Sequence, residues 1–147
     1  MFYFVHRINA LFIPLFLIFM LLGCEGQEKP STMTTDPTEI ALNKLGAAYI
    51  RGTPPPKTKA ELLSILKSCN HPIELLTSPS DGQEFIIVYG VELKGLKVTG
   101  AQLPVVAFEK SGKDGKRYVL RGMNTIVQLT DEQLKSSVFP AGYNFPF

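Results

Sequence analysis

Reactive side chains are few in this chain of 147 residues, and their spacing narrows the chemistry open to them. Cys69 and His71 stand two positions apart, offering either two soft ligands to a metal or a thiol beside a base. A zinc site needs three or four ligands at set spacings, and the second histidine of the chain is His6, near the N-terminus. A Cys–His nucleophilic pair needs a third group to orient the base, which adjacency in sequence does not supply. The pair therefore reads as a helix-end histidine beside a thiol that packs as a small apolar group. Glu84, Glu92 and Glu109 are candidates for acid–base work, but nothing in their spacing sets their separation. Asp81-Gly82 and Asp114-Gly115 each put a carboxylate before a residue tolerant of positive φ, which is what turns require. Neither stretch has the alternating oxygen ligands of a calcium loop. With no glycine-rich phosphate loop and no Gly-x-Ser-x-Gly elbow, the sequence implies no catalytic residue, no metal and no cofactor.

Charge offers one further candidate. The net charge of +2 points to no nucleic-acid partner, yet basic residues gather in the second half, with Lys94 and Lys97 ahead of the main group. If the hairpins align, Lys110, Lys113, Lys116, Arg117 and Arg121 form a patch for anionic lipid headgroups or polysaccharide. The competing reading is solvated strand ends that discourage edge pairing.

The second cysteine has a different setting. Leu21-Leu22-Gly23-Cys24 closes an apolar run over residues 10–22, and a short n-region with Arg7 precedes that run. This is the three-part plan of a secretory signal, and its last four residues resemble a bacterial lipobox. Cys24 is then the residue that receives diacylglycerol, with cleavage between Gly23 and Cys24. A retained transmembrane helix would need roughly 20 apolar residues; this run is shorter and is closed by Asn9 and Arg7. Two or three acyl chains on one cysteine give stable membrane attachment, whereas one gives marginal binding. Lipidation of Cys24 leaves Cys69 without an intramolecular partner, so no disulfide framework is expected. Glu25 follows the cysteine where the Asp associated with inner-membrane retention in enteric-type bacteria would stand. By that analogy the expected location is the cell envelope, lipid-anchored, with the outer membrane favoured over the inner.

The elements behind these residues follow from periodicity. Residues 1–23 read as signal peptide, 24–35 as a polar flexible tether, and 36–147 as one globular domain. Asp36, Pro37 and Glu39 form a helix start, and Leu42, Leu45 and Tyr49 with Ala41 and Ala48 supply its apolar stripe. Gly52 and Pro54-Pro55-Pro56 end that helix. Thr58 and Glu61 start a second, whose buried side is Leu62, Leu63, Ile65, Leu66 and Cys69. Ser78-Pro79-Ser80-Asp81-Gly82 is turn chemistry. Residues 85–91, nearly continuously apolar, predict a central strand covered on both faces. Further strands are expected at 104–109, 117–120 and 125–129, with a hairpin loop at 111–115. Thr130 and Gln133 then cap a short helix. The aromatic tail, Phe139 to Phe147, is expected to fold back over the core; capture of its carboxylate by a peptide-binding domain is the alternative. Helices followed by consecutive hairpins predict an α+β fold: two N-terminal helices on a three- to four-stranded antiparallel meander, with a short C-terminal helix.

These elements, in this order, resemble the globular part of type II secretion pseudopilins and a group of uncharacterised bacterial envelope proteins. The residues that carry the likeness run from Leu45 to Leu66, through Ser78-Pro79-Ser80-Asp81-Gly82 and Phe85 to Gly90. They continue with Val106-Ala107-Phe108-Glu109 and Asp114-Gly115-Lys116-Arg117-Tyr118. The resemblance implies a shape. Pseudopilins keep their hydrophobic helix for filament packing, whereas here that segment ends at Cys24 and would be removed. The expectation is a membrane-anchored, non-enzymatic interaction or structural component of the envelope. The alternative is a ligand-binding or enzymatic domain with a pocket between helices and sheet, rimmed by Cys69, His71 or acidic residues.

Overall fold

A computed structural model describes residues 36–146. The expected signal, the lipobox cysteine and the tether lie outside the described residues, as does Phe147.

The first helix begins where its capping residues dictate. Asp36 holds an extended backbone and its Oδ1 accepts from the N–H groups of Thr38 (2.8 Å) and Glu39 (3.4 Å). These bonds satisfy donors that the first turn would leave orphaned. α1 (Pro37–Arg51) then buries Ala41, Leu42, Leu45, Ala48 and Tyr49 on one face. α2 (Lys59–Ser68) starts at Thr58, whose Oγ1 accepts from the Glu61 N–H. The reciprocal bond differs from a standard capping box: Glu61 Oε2 accepts from the N–H of Lys57, one residue earlier, at 2.7 Å. Leu62 and Leu66 are its buried residues.

A 3-10 turn (Ile73–Leu76) leads to a four-stranded antiparallel sheet in the order β1-β2-β3-β4. Its strands are β1 (Ile86–Ile87), β2 (Val105–Phe108), β3 (Arg117–Arg121) and β4 (Thr125–Leu129). α3 (Asp131–Lys135) closes the order with a complete capping box between Thr130 and Gln133. The α+β architecture is thus the one read from the sequence.

One element departs from expectation. Residues 85–91 do not form a central strand; Ile86 and Ile87 alone are strand, and they sit at the sheet edge. The Val88 N–H still donates to Val106 O at 2.8 Å, and then Gly90, at φ 74°, turns the chain away. Gly90 N–H donates to Pro56 O, while the Tyr49 hydroxyl donates to Val88 O (2.9 Å) and accepts from Val91 N–H (3.0 Å). The apolar run is buried, as Val88 and Val91 show, but its second half is clamped to the end of α1 and not to a neighbouring strand.

The sheet is covered on both faces. Tyr118 and Leu120 of β3 face α1: the Tyr118 hydroxyl reaches Asp36, and Leu120 lies against Gly46. Phe108 pairs in register with Val119, on the opposite side by strand alternation. There the tail folds back, as expected, with Phe139 and Phe145 ring centroids 6.2 and 6.1 Å from Phe108. Tyr143 stacks on Phe139 at 4.7 Å. Such pairs add roughly 0.5–1.5 kcal/mol each beyond burial.

Candidate functional site

The Ser78–Gln83 turn and the β2–β3 hairpin loop are stitched together by side chains whose types suit the task. Asp81 Oδ1 accepts from Gln83 N–H, closing its own turn, while Oδ2 accepts from Ser111 N–H (3.0 Å) and Gly112 N–H (3.2 Å). Burial pushes the Asp81 carboxyl up, but the N–H groups of Gln83, Ser111 and Gly112 outweigh it and hold the pKa below the usual carboxylate value. Gly112 is required there: at φ 70° a Cβ would run into Lys116 O. Asp114 and Gly115 both adopt positive φ, 52° and 73°, the pattern of a tight two-residue hairpin turn between Lys113 and Lys116.

Beneath this loop Glu109 is 1% exposed. Its Oε1 accepts from Ser78 Oγ at 2.6 Å and its Oε2 from Tyr118 N–H at 2.7 Å. Both carboxyl oxygens are thereby engaged in holding turn, strand and hairpin together. The residue pins turn, strand and hairpin together while also bordering the polar cleft that Lys113 and Lys116 line.

The five residues of the anticipated basic patch divide. Lys110, Lys113 and Lys116 are exposed around the hairpin loop. Arg117 and Arg121 are 8% and 7% exposed, so they do not belong to an exposed patch. The pleat explains this: positions 117, 119 and 121 share the face covered by the tail. Arg117 forms a two-point contact with Asp131 (Nε–Oδ1 2.7 Å, Nη2–Oδ2 3.2 Å) and its Nη1 donates to Glu109 O. Arg121 donates to Gly100 O and Ser137 Oγ.

Lys113 and Lys116 line a polar cleft of about 530 Å³ together with Asp36, Thr38, Asp114 and Tyr118. Tyr118 donates its hydroxyl to Asp36 Oδ2 at 2.9 Å. Burial and this bond to a carboxylate push the tyrosine up to about 12. For Asp36, burial opposes the charge, but bonds from Thr38 N–H, Tyr118 and Glu39 N–H prevail and lower its pKa.

An apolar cleft of about 140 Å³ lies at the other end of α1, lined by Tyr49, Ile50, Pro54, Val91, Leu93 and Met123 among others, with Glu92 and Lys94 also in its wall. Met123 and Asn124 both have positive φ, 55° and 59°.

The remaining candidates are not brought together. His71 borders a shallow groove by Leu63, Lys67 and Ile73, while the Cys69 Sγ accepts a long contact from Arg51 Nη1 at 3.7 Å. Glu84 pairs with Lys59 on the surface, and Glu92 accepts from Lys94 N–H. Among the described residues no group of three or more His, Cys, Asp or Glu is placed to hold a metal, and no helix is long and apolar enough to cross a membrane. Sequence reasoning missed two features. The Ser78–Glu109 bond joins residues 31 apart, and only the apolar neighbours of Glu109 hinted at its burial. The left-handed backbone at Met123, next to Asn124, has no signature in its residue type. Comparison with family models, curated proteins and solved structures gives no match.

Proposed function

We propose that the protein is a lipid-anchored component of a bacterial cell envelope, held through Cys24. In this reading its domain is a non-enzymatic interaction module that presents Lys110, Lys113 and Lys116 to an anionic surface of lipid headgroups or polysaccharide. The observation that carries the reading is positional. Asp36, from which the chain leads back to Cys24, lines the same cleft as Lys113 and Lys116. The exposed lysines therefore lie at the end of the domain where the described chain begins. A lysine near an anionic membrane surface contributes about 1 kcal/mol, so three of them orient a domain that the acyl chains already hold. The pseudopilin-like shape serves here as a scaffold, without the filament-forming helix.

Two measurements test this. Mass spectrometry of the N-terminal peptide from purified envelope should find a chain starting at Cys24 with a diacylglyceryl thioether; a chain starting at Met1, or a free thiol at Cys24, sinks the anchor. Unlipidated residues 24–147 carrying Cys24→Ser should bind phosphatidylglycerol vesicles at low salt and lose them as salt rises. Binding that ignores salt, or survives Lys→Gln at 110, 113 and 116, removes the patch. A second reading, a domain that binds a small ligand, is favoured by the apolar cleft beside Met123.

A further inference from the structure

We propose that the cleft at the C-terminal end of α1 binds a small carboxylate bearing one aromatic or branched alkyl group. This site rests on its own geometry and is independent of how the chain is anchored.

The first observation is where the backbone is strained. Met123 and Asn124 are consecutive non-glycine residues in the left-handed region, at φ 55° and 59°. Backbone strain of this kind persists only where surrounding structure imposes it, and it clusters at binding sites. The imposing structure is visible. Asn124 donates through Nδ2 to Asn43 Oδ1 at 2.9 Å and is seated on Gly46, where any Cβ would collide with it. Its Oδ1 is buried without a hydrogen-bond partner. A glycine inside a helix, a strained pair and an unsatisfied oxygen are all unfavourable locally. Their joint effect is to hold the Met123 side chain, 59% exposed, at the cleft.

The second observation is the shape and chemistry of the cleft. Its volume of about 140 Å³ is close to the size of cavity, about 150 Å³, that accepts a benzene ring. The Tyr49 ring lines it with its hydroxyl already satisfied by Val88 and Val91, so the floor offers apolar surface. Ile50, 42% exposed, and Met123 are large apolar side chains left partly to solvent in the cleft wall. Methionine is flexible and polarizable and suits aromatic contacts.

Free donor capacity selects the head group. Lys94 Nζ is held by Thr53 Oγ1 at 2.9 Å, which leaves two ammonium donors for a ligand. Glu92 is the other charged group in the wall, and its Oε1 accepts from the Lys94 backbone N–H at 3.1 Å. The ammonium is thus the group with spare hydrogen-bonding capacity toward a carboxylate.

The test uses the unprocessed 147-residue chain carrying Cys24→Ser in phosphatidylcholine nanodiscs with 13C-methyl methionine. The chain has four methionines, and Met123→Leu assigns the relevant signal while the other three report non-specific partition. Titration with 3-phenylpropanoate should move the Met123 methyl saturably, at about millimolar concentration for so small a ligand. The neutral amide analogue should bind at least about threefold more weakly, and Lys94→Gln should erase that difference. Lys94 is exposed, so this variant keeps the fold. Absence of a saturable shift, equal shifts at all four methyls, or a Met123 shift that follows protein concentration and not ligand would overturn the site. Equal affinity for acid and amide would overturn the assignment of a carboxylate.

Discussion

Gly46 and Asn124 occupy one shared space: the helix residue has no side chain because the left-handed turn residue fills the position where its Cβ would stand. This contact docks the 122–124 turn on α1. Gly46→Ala should therefore destabilise the protein by about 2 kcal/mol in urea unfolding, although alanine alone would favour the helix by about 1 kcal/mol. Asn124→Gly tolerates the same φ and vacates the space. The double variant should recover at least about 1 kcal/mol relative to the sum of the single changes. Additive effects would mean that the two residues do not touch.

Met123 invites the opposite experiment. Its side chain buries little, and its left-handed backbone costs about 1–2 kcal/mol. Met123→Gly relieves that cost but loosens the unfolded chain, so stability should stay level or rise by up to about 1 kcal/mol. A clear fall in the urea midpoint would show that the methionine is there for packing.

The Ser78–Glu109 pair predicts sensitivity to a near-isosteric change. Glu109→Gln removes the charge from both bonds: the amide oxygen keeps the Tyr118 N–H, while the NH2 must donate to Ser78 Oγ, whose own proton then loses its acceptor. The expected loss is about 2–3 kcal/mol, and Ser78→Ala should cost about 1–3 kcal/mol. Equilibrium unfolding measures both. A neutral Glu109→Gln would exclude Glu109 as the pin between turn and hairpin.

Acid stability depends on Asp36, Asp81 and Asp131, whose carboxyls are held below their ordinary value of 3.8. For Asp131 the cause is first the hydrogen bond from Arg117. A lowered folded pKa gives stability that is present above the unfolded value and lost as pH falls through the folded one. Unfolding free energy should therefore decline below about pH 4, and Asp81→Asn should flatten that decline. Tyr118 works at the alkaline end. Raised to about 12 from 10.0, it contributes stability that is complete below pH 10.0 and lost as pH rises toward 12. Absorbance titration of tyrosinate should show a late-ionising group that Tyr118→Phe removes.

Removal of residues 143–147 tests the tail. Tyr143 and Phe145 complete the ring cluster on Phe139 and Phe108. Their loss should lower stability by about 2–4 kcal/mol. Unchanged thermal unfolding would instead leave the aromatic tail free for a partner.

The fold was legible where the signal is local. Asp36, Thr58 and Thr130 each cap a helix through bonds to residues two or three positions on, and such bonds depend on neighbouring residues alone. The hairpin at Asp114-Gly115 is readable for the same reason. Residues 85–91 misled because burial and strand pairing leave the same apolar signature; the run docks on Tyr49, some forty positions earlier in the chain. Arg117 and Arg121 misled because a charge in sequence does not disclose the Asp131 or Ser137 that receives it. The apolar cleft was the least legible feature, since it joins residues 49–55, 91–94 and 123 through tertiary contacts that no local pattern encodes.

The length of α1 has a consequence for orientation. Fifteen helical residues make a rod of roughly 22 Å, with Asp36 and the lysine-lined cleft at its head and the Met123 cleft at its foot. The two clefts thus stand about a helix length apart, so a small molecule held in one leaves the other open.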